Sequence, residues 1–120
     1  MSIGFKRIVL ATGYSLEGLR SAYKGEQAFK QEVWLAAVLV PTAFWLGRNW
    51  MEVLLLIGSV GLVMIVELLN SGIEAAIDRI SLERHDLSKR AKDQASAAVF
   101  LSVIACLGVW STISWQHFFH

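Results

Sequence analysis

Val53-Leu54-Leu55-Leu56-Ile57-Gly58-Ser59-Val60-Gly61-Leu62-Val63-Met64-Ile65-Val66-Glu67-Leu68-Leu69-Asn70-Ser71-Gly72-Ile73-Glu74-Ala75-Ala76-Ile77-Asp78-Arg79 is the stretch whose reading decides the fold. Its first half is apolar or small throughout, and without a break it becomes a ladder of acids and one amide. At roughly 100° per residue, Glu67, Asn70, Ser71, Glu74 and Asp78 fall on one side of a helix, while Leu68, Leu69, Ile73 and Ile77 cover the rest. A charge at the depth of Glu67 costs about 3 kcal/mol or more on insertion scales, so this group must face protein, water or a cation. One reading is a hydrogen-bonded stripe that holds a helical bundle together. The seam contains no basic residue, however, and buried acids require a positive partner. A divalent metal is the economical one, because Mg²⁺ takes hard oxygen ligands and is commonly held by one or two carboxylates plus substrate phosphates.

Composition places the rest of the chain in the same solvent. At 120 residues and 55% hydrophobic, with a mean hydropathy of +0.51, residues 1–120 form a single integral-membrane domain rather than an ordinary soluble one. The formal net charge of +1 excludes a nucleic-acid partner recruited by overall basicity. Cys106 is the single cysteine, so no internal disulfide forms, and its apolar surroundings suit a small buried hydrophobe.

Residues 3–24 place Phe5, Ile8, Val9, Thr12, Leu16, Leu19 and Tyr23 at the spacing of an amphipathic helix. It is too polar to span, and Lys6, Arg7, Arg20 and Lys24 suit the headgroup layer of an anionic leaflet. It lacks the cleavage site of a signal peptide. Gly25 breaks the pattern, and Glu26 and Lys30 have the spacing of an ordinary surface pair. Residues 33–50 are the first expected span, interrupted by Pro41 and flanked by Trp34, Trp45 and Trp50. A turn at Gly47-Arg48-Asn49 leads to the second span, residues 52–80. Residues 81–87 connect, with Asp86 or Ser88 available as a cap. The third span, residues 89–116, is rich in Ala, Ser and Gly and ends at Trp110 and Trp115. His117 and His120 fall in a tail expected to be unstructured, and His85 in a solvated loop.

Lys and Arg are concentrated on the side of the N-terminus and of the loop between spans two and three, against Arg48 alone on the other. The N-terminus is therefore expected in the cytoplasm and the C-terminus on the far side. At the cytoplasmic end three groups converge if the helices pack: Glu26 and Lys30; Glu67, Asn70, Glu74 and Asp78; and Lys89, Lys92, Asp93 and Ser96. Acids for metal, lysines for phosphate and a carboxylate for proton removal are the parts that phosphoryl transfer needs. No Walker loop and no protein-kinase catalytic-loop signature occurs.

Glu67 to Arg79 closely resembles the signature of the prokaryotic diacylglycerol kinases, small integral-membrane lipid kinases. The resemblance covers nearly the whole chain, through Gly13-Tyr14-Ser15, Gly18-Leu19-Arg20, Glu26-Gln27-Ala28-Phe29-Lys30-Gln31-Glu32, Arg90-Ala91-Lys92-Asp93 and Ala97-Ala98-Val99. It implies an all-α membrane protein, with an N-terminal amphipathic surface helix and three transmembrane helices, assembled as a homotrimer with active sites shared between subunits. The setting it implies is a bacterial inner membrane. It implies ATP as cosubstrate, Mg²⁺ as cofactor and 1,2-diacylglycerol as acceptor. Carried over by residue, Glu74 resembles the catalytic carboxylate, and Glu26 with Glu74 the metal pair. Arg7, Tyr14, Glu26, Glu74, Asp78, Lys92 and Asp93 resemble the ATP-binding positions, with Arg20 nearby. Arg7, Glu67, Asn70 and Ser96 resemble the lipid-binding ones.

This sequence departs from the pattern at three positions. Gly72 stands where Ala or Ser is usual, and is expected to loosen the helix. Leu10 replaces a lysine of some members, so no role is given to it. Leu16 replaces an aromatic, and Lys89 is placed to supply part of the missing charge. Undecaprenol kinase, with the same core residues, is the alternative within the family. Outside it stand a structural assembly subunit and a proton relay through Glu67 and Glu74, although three short spans without an inverted repeat make a poor transporter.

Overall fold

Four helices follow one another in the computed structural model, which describes residues 3–80 and 85–119. They are α1 (Ile3–Gly25), α2 (Gln27–Leu46), α3 (Trp50–Ile80) and α4 (Asp86–Phe118). Residues 81–84, most of the expected connection between the last two helices, and His120 lie outside the described residues. The described chain is all-α, as the periodicity predicts. Two helices, α3 and α4, are long and apolar enough to cross a membrane. Only 11% of the apolar window of α4 is buried against the rest of the chain. A soluble core helix would be covered, whereas this one presents Phe100, Leu101, Ile104 and Leu107 outward.

Packing is concentrated at one end. Ala43 and Leu46 of α2, Leu56 of α3 and Ile113 of α4 form the buried core, with Ile57, Val109 and Trp110 against it. The turn between α2 and α3 makes this possible. A Cβ at Gly47 would stand 2.7 Å from Val53 Cγ2 and 3.0 Å from the Val53 nitrogen, so only glycine allows the two helices to meet this closely. Asn49 starts α3, its Oδ1 accepting from the Glu52 amide at 3.0 Å, as an N-cap should. The Glu52 carboxylate accepts from the Arg48 amide at 2.9 Å and from Arg48 Nη2 at 2.7 Å. Arg48 Nη2 also reaches Gln116 Oε1 of α4 at 2.7 Å.

Several local expectations need correction here. The first expected span, residues 33–50, is split: α2 ends at Leu46, and Trp50 already belongs to α3. The C-terminal segment is not an unstructured tail, because α4 continues to Phe118. His117 Nδ1 donates to the Leu46 carbonyl at 3.0 Å, and its ring lies 4.7 Å from that of Trp45. The last carbonyls of α2 lack intrahelical partners, and His117 satisfies one of them. His85, not Asp86 or Ser88, caps α4, its Nδ1 accepting from the Leu87 amide at 3.0 Å.

The other end is open. Every residue of α1 from 3 to 20 is exposed, including Ile3, Ile8, Val9 and Leu16. The radius of gyration is 17.7 Å and the extents are 54 × 46 × 23 Å, against roughly 13.6 Å expected for a compact globule of this length. The described chain is a slab one to two helices thick, closed at the α2–α3 turn.

This packing predicts a contrast between two neighbouring leucines. Leu56 is completely buried, and its carbonyl also accepts from Trp110 Nε1 at 3.2 Å. Leu54 is 64% exposed. Leu56→Ala should lower unfolding free energy in detergent by about 2 kcal/mol or more, because a cavity opens where the end is closed. Leu54→Ala should change it by no more than about 0.5 kcal/mol. Denaturation titration of the two variants checks this, and equal effects would show that this end is not the packed core.

Candidate active site

The side of α3 that builds the core also carries the polar seam. Val53, Leu56 and Val60 are buried, and further along the same side Glu67, Asn70 and Glu74 are half-buried while Asp78 is exposed. The spacings are three, four or seven residues, so one face passes from packing to chemistry. Asn70 Nδ2 donates to Glu74 Oε1 at 3.4 Å, a long hydrogen bond that leaves the other carboxylate oxygen uncommitted.

Other elements close on this seam from two directions. Glu26 stands between α1 and α2 and makes no capping bond with its side chain. Glu67 lies within electrostatic reach of both Glu26 and Glu74, and Glu32 of α2 lies within reach of Glu67. Four carboxylates thus gather where α2 begins beside α3. From the opposite side α4 brings Lys92, whose Nζ donates to Asp78 Oδ1 at 2.9 Å, and Glu74 is also within its reach. Lys89 Nζ meets Asp93 Oδ2 at 2.6 Å along α4. Acids therefore line the middle of the site, and ammonium groups line its α4 edge.

Among the described residues, two buried side-chain atoms have no hydrogen-bond partner: Glu32 Oε1 and Asn70 Oδ1. Both are acceptors, and a buried orphan acceptor calls for a donor or a cation that the free chain lacks. Among the described residues no three His, Cys, Asp or Glu side chains lie close enough to hold a metal by themselves. The donor set, hard oxygens from pairs of carboxylates, fits Mg²⁺ that completes its shell with phosphate oxygens and water. It does not fit a metal caged wholly by protein.

The structure brings Glu26, Glu67, Asn70, Glu74, Asp78 and Lys92 together. It does not bring Arg7 and Tyr14 to them within one chain: both lie on the exposed part of α1, and Tyr14 is 71% exposed. Asp93 pairs with Lys89 on an exposed surface, and Ser96 is exposed. Lys30 turns away from Glu26, its ammonium lying 5.6 Å from the Tyr23 ring centroid. Trp34 Nε1 donates to the same tyrosine's hydroxyl at 3.1 Å, which ties α2 to the end of α1. Glu32 is the site residue that the sequence reading missed. Its signal was an acid at the head of the apolar stripe Glu32, Leu35, Leu39 at three- and four-residue spacing.

Comparison with known proteins places these residues in a family context. The family model described as prokaryotic diacylglycerol kinase matches residues 13–114. A diacylglycerol kinase of Pseudomonas aeruginosa is 54% identical over 92% of this chain and 89% of its own. One from Escherichia coli strain K12 is 50% identical over 96% of this chain and 94% of its own. One from Haemophilus influenzae is 50% identical over 92% and 93%.

Lys92 and Asp78 separate a structural from a functional role for this edge. Their side chains are 42% and 53% exposed, so the ion pair contributes little to stability. Lys92→Ala should leave the unfolding midpoint almost unchanged while lowering turnover about tenfold or more, as loss of a charge stabiliser does. A variant that loses stability and turnover together would make the pair a structural tie.

Proposed function

The chain belongs to the prokaryotic diacylglycerol kinase family, and from that premise we propose that it transfers the γ-phosphoryl group of ATP to the free hydroxyl of 1,2-diacylglycerol, giving phosphatidic acid and ADP. The observation that carries this reading is the meeting of an acid cluster on α3 with the Lys92 edge of α4 at the open end of the bundle. Phosphoryl transfer asks mainly for positioning and charge stabilisation, which such a site supplies.

Glu26 and Glu74 are the residues that would hold Mg²⁺, which when bound offsets the charge of the phosphates beside these carboxylates. Lys92, oriented by Asp78, offers its ammonium to phosphate oxygens, and Asp93, Arg7 and Tyr14 complete the nucleotide side. Glu67, Asn70, Ser96 and Arg7 receive the lipid's hydroxyl end. Glu74 accepts the proton as the hydroxyl oxygen attacks, and Asn70 holds it in place through the hydrogen bond to Oε1.

A second reading of the base is favoured by one feature. Glu67 lies two turns deeper than Glu74, closer to the apolar half of α3 from which a lipid approaches, and none of the described residues forms a hydrogen bond to it. A carboxylate engaged by a metal is a weaker base, so if Glu74 serves the metal, Glu67 takes the proton. Paired variants decide. With Glu74 as base, Glu74→Gln leaves less than about a tenth of wild-type turnover at saturating Mg²⁺, and Glu67→Gln mainly raises the KM for lipid. With Glu67 as base, Glu67→Gln abolishes turnover with Mg²⁺-dependent ATP binding intact, and Glu74→Gln weakens that binding. In both cases Glu26→Gln shifts the Mg²⁺ titration, and an unshifted titration removes Glu26 from the metal pair. Product identity with diacylglycerol and undecaprenol offered together, using labelled ATP, separates the two lipid kinase activities.

The same premise places the chain in a bacterial inner membrane with α2 as a third span, the N-terminus cytoplasmic and the C-terminus on the far side. The excess of Lys and Arg at the open end supports this orientation, and α1 then rests in the headgroup layer. We assign the working unit as a homotrimer with shared sites. Supporting it are the thin protomer, the open seam, and Gly58 and Gly61 on α3, beside which no other group comes within 4 Å of an added Cβ. Because Asp78 and Lys92 already meet within one chain while Arg7 lies on the exposed part of α1, the neighbour's contribution is assigned to Arg7. Mixing Glu74→Gln chains with Arg7→Ala chains should then restore activity that each lacks alone. Absence of recovery in mixed oligomers would mean that each site uses one chain.

A further inference from the structure

The direction of α1 is set at one corner of the chain. Among the described residues, Ala22 alone of this helix is buried, and a cavity of about 620 Å³ lies between α1 and α3. Close packing on α3 therefore does not fix α1 along that stretch. The corner itself is one residue long: Glu26 is extended, at φ −114° and ψ 109°. The backbone ladder continues on either side of it, the Glu26 amide donating to the Ala22 carbonyl at 2.8 Å and the Lys30 amide donating to the Glu26 carbonyl at 3.1 Å. A short junction between two helices is the kind of place that absorbs a hinge motion, so side chains must choose its angle.

Two side chains of α2 close on Tyr23, in the last turn of α1. Trp34 Nε1 donates to its hydroxyl at 3.1 Å, and the Lys30 ammonium stands 5.6 Å from its ring centroid. Lys30 and Trp34 are four residues apart and share one face of α2, so both contacts reach Tyr23 from the same face. Tyr23 is half-buried and Trp34 is 63% exposed, so this clasp adds little to core packing. Its effect comes through leverage. Arg7 stands about 24 Å along the same helix from Tyr23, at 1.5 Å per residue. A change of roughly 10° at the corner would carry Arg7 about 4 Å, which is more than the length of a hydrogen bond.

We propose that Tyr23 is a positioning residue: clasped by Trp34 and Lys30, it sets the angle at which α1 leaves α2 and so presents Arg7 and Tyr14 to the nucleotide. The inference rests on the assignment of Arg7 and Tyr14 to the nucleotide side. Tyr23 acts through the helix and touches neither substrate. One hydrogen bond favours its own geometry by about fivefold. Losing that preference lowers the share of chains whose α1 is correctly aimed, and apparent nucleotide affinity falls with that share.

The test uses the full-length protein in detergent micelles with two readouts. The first is affinity for the Mg²⁺ complex of β,γ-imido ATP, measured by equilibrium dialysis without any lipid alcohol. The second is the distance distribution between spin labels on Leu10→Cys and Val38→Cys, with Cys106→Ala, in samples diluted with unlabelled chains. Tyr23→Phe keeps the ring and the Lys30 contact but lacks the hydroxyl. It should raise the nucleotide Kd about threefold, within the worth of one hydrogen bond, and broaden the distance distribution, with the unfolding midpoint unmoved. Trp34→Phe should do the same from the other partner. The double variant should be no worse than either single one, because both remove the same bond. Additive losses, or a distance distribution that neither variant changes, overturn the clasp. A broadened distribution with an unmoved Kd overturns its link to the nucleotide. Wild-type nucleotide affinity in Arg7→Ala would overturn the assignment of Arg7 to the nucleotide side, and the link with it, while the distance measurement still decides whether Tyr23 sets the angle.

Discussion

A carboxylate at the depth of Glu67 cannot be left against hydrocarbon, and much of this structure answers that constraint. Removing an acid from water without a partner costs several kcal/mol. The chain meets the cost by making the seam a continuation of the face that packs the bundle. Val53, Leu56 and Val60 bury that face at one end of α3, and Glu67, Asn70 and Glu74 inherit its inward direction at the other. The helix rotation that the apolar residues fix is therefore the rotation that aims the acids.

That arrangement asks for rigidity away from the chemistry. The turn at Gly47, the Asn49 cap, the Arg48–Glu52 pair with its reach to Gln116, and the bond from His117 to Leu46 join α2, α3 and α4 at one end. Trp110 adds a link from α4 to the Leu56 carbonyl. The partners of these ties are polar groups at helix ends, where backbone amides and carbonyls lack intrahelical bonds. A closed end of this kind allows the opposite end to stay open without the helices losing their mutual register.

The parts of this design that were legible in the sequence are those encoded locally. The acid ladder, the amphipathic pattern of residues 3–24, the turn glycine and the long apolar runs each show within a few turns of helix, and the four helices of the structure match them. The parts that were not legible depend on partners distant in the chain. His117 looked like tail because its partner, the Leu46 carbonyl, belongs to another helix. Glu32 was given no role because its partial burial depends on α3. The capping of α4 by His85 was missed for a different reason, since its short-range bond competes with the stronger cap preferences of Asp and Ser beside it. The pairing of Lys92 with Asp78 rather than with an acid of its own helix is likewise a tertiary fact.

The open end also explains why this chain binds its acids so lightly. In a closed bundle, Glu26, Glu32, Glu67 and Glu74 would each need a fixed cation, and a fixed cation would fill the place where phosphate must come. Here the described carboxylates repel one another, Glu74 accepts one long hydrogen bond from Asn70, and among the described residues two buried acceptors have no partner. The free protein therefore holds an excess of negative charge along this seam, which a bound cation would offset. Complementarity of this sort places binding energy at the reacting centre rather than in the resting structure, which is where transition-state stabilisation can draw on it. The lysines follow the same logic: Lys92 and Lys89 rest on exposed aspartates whose hold in water is weak, so neither ammonium is locked in place.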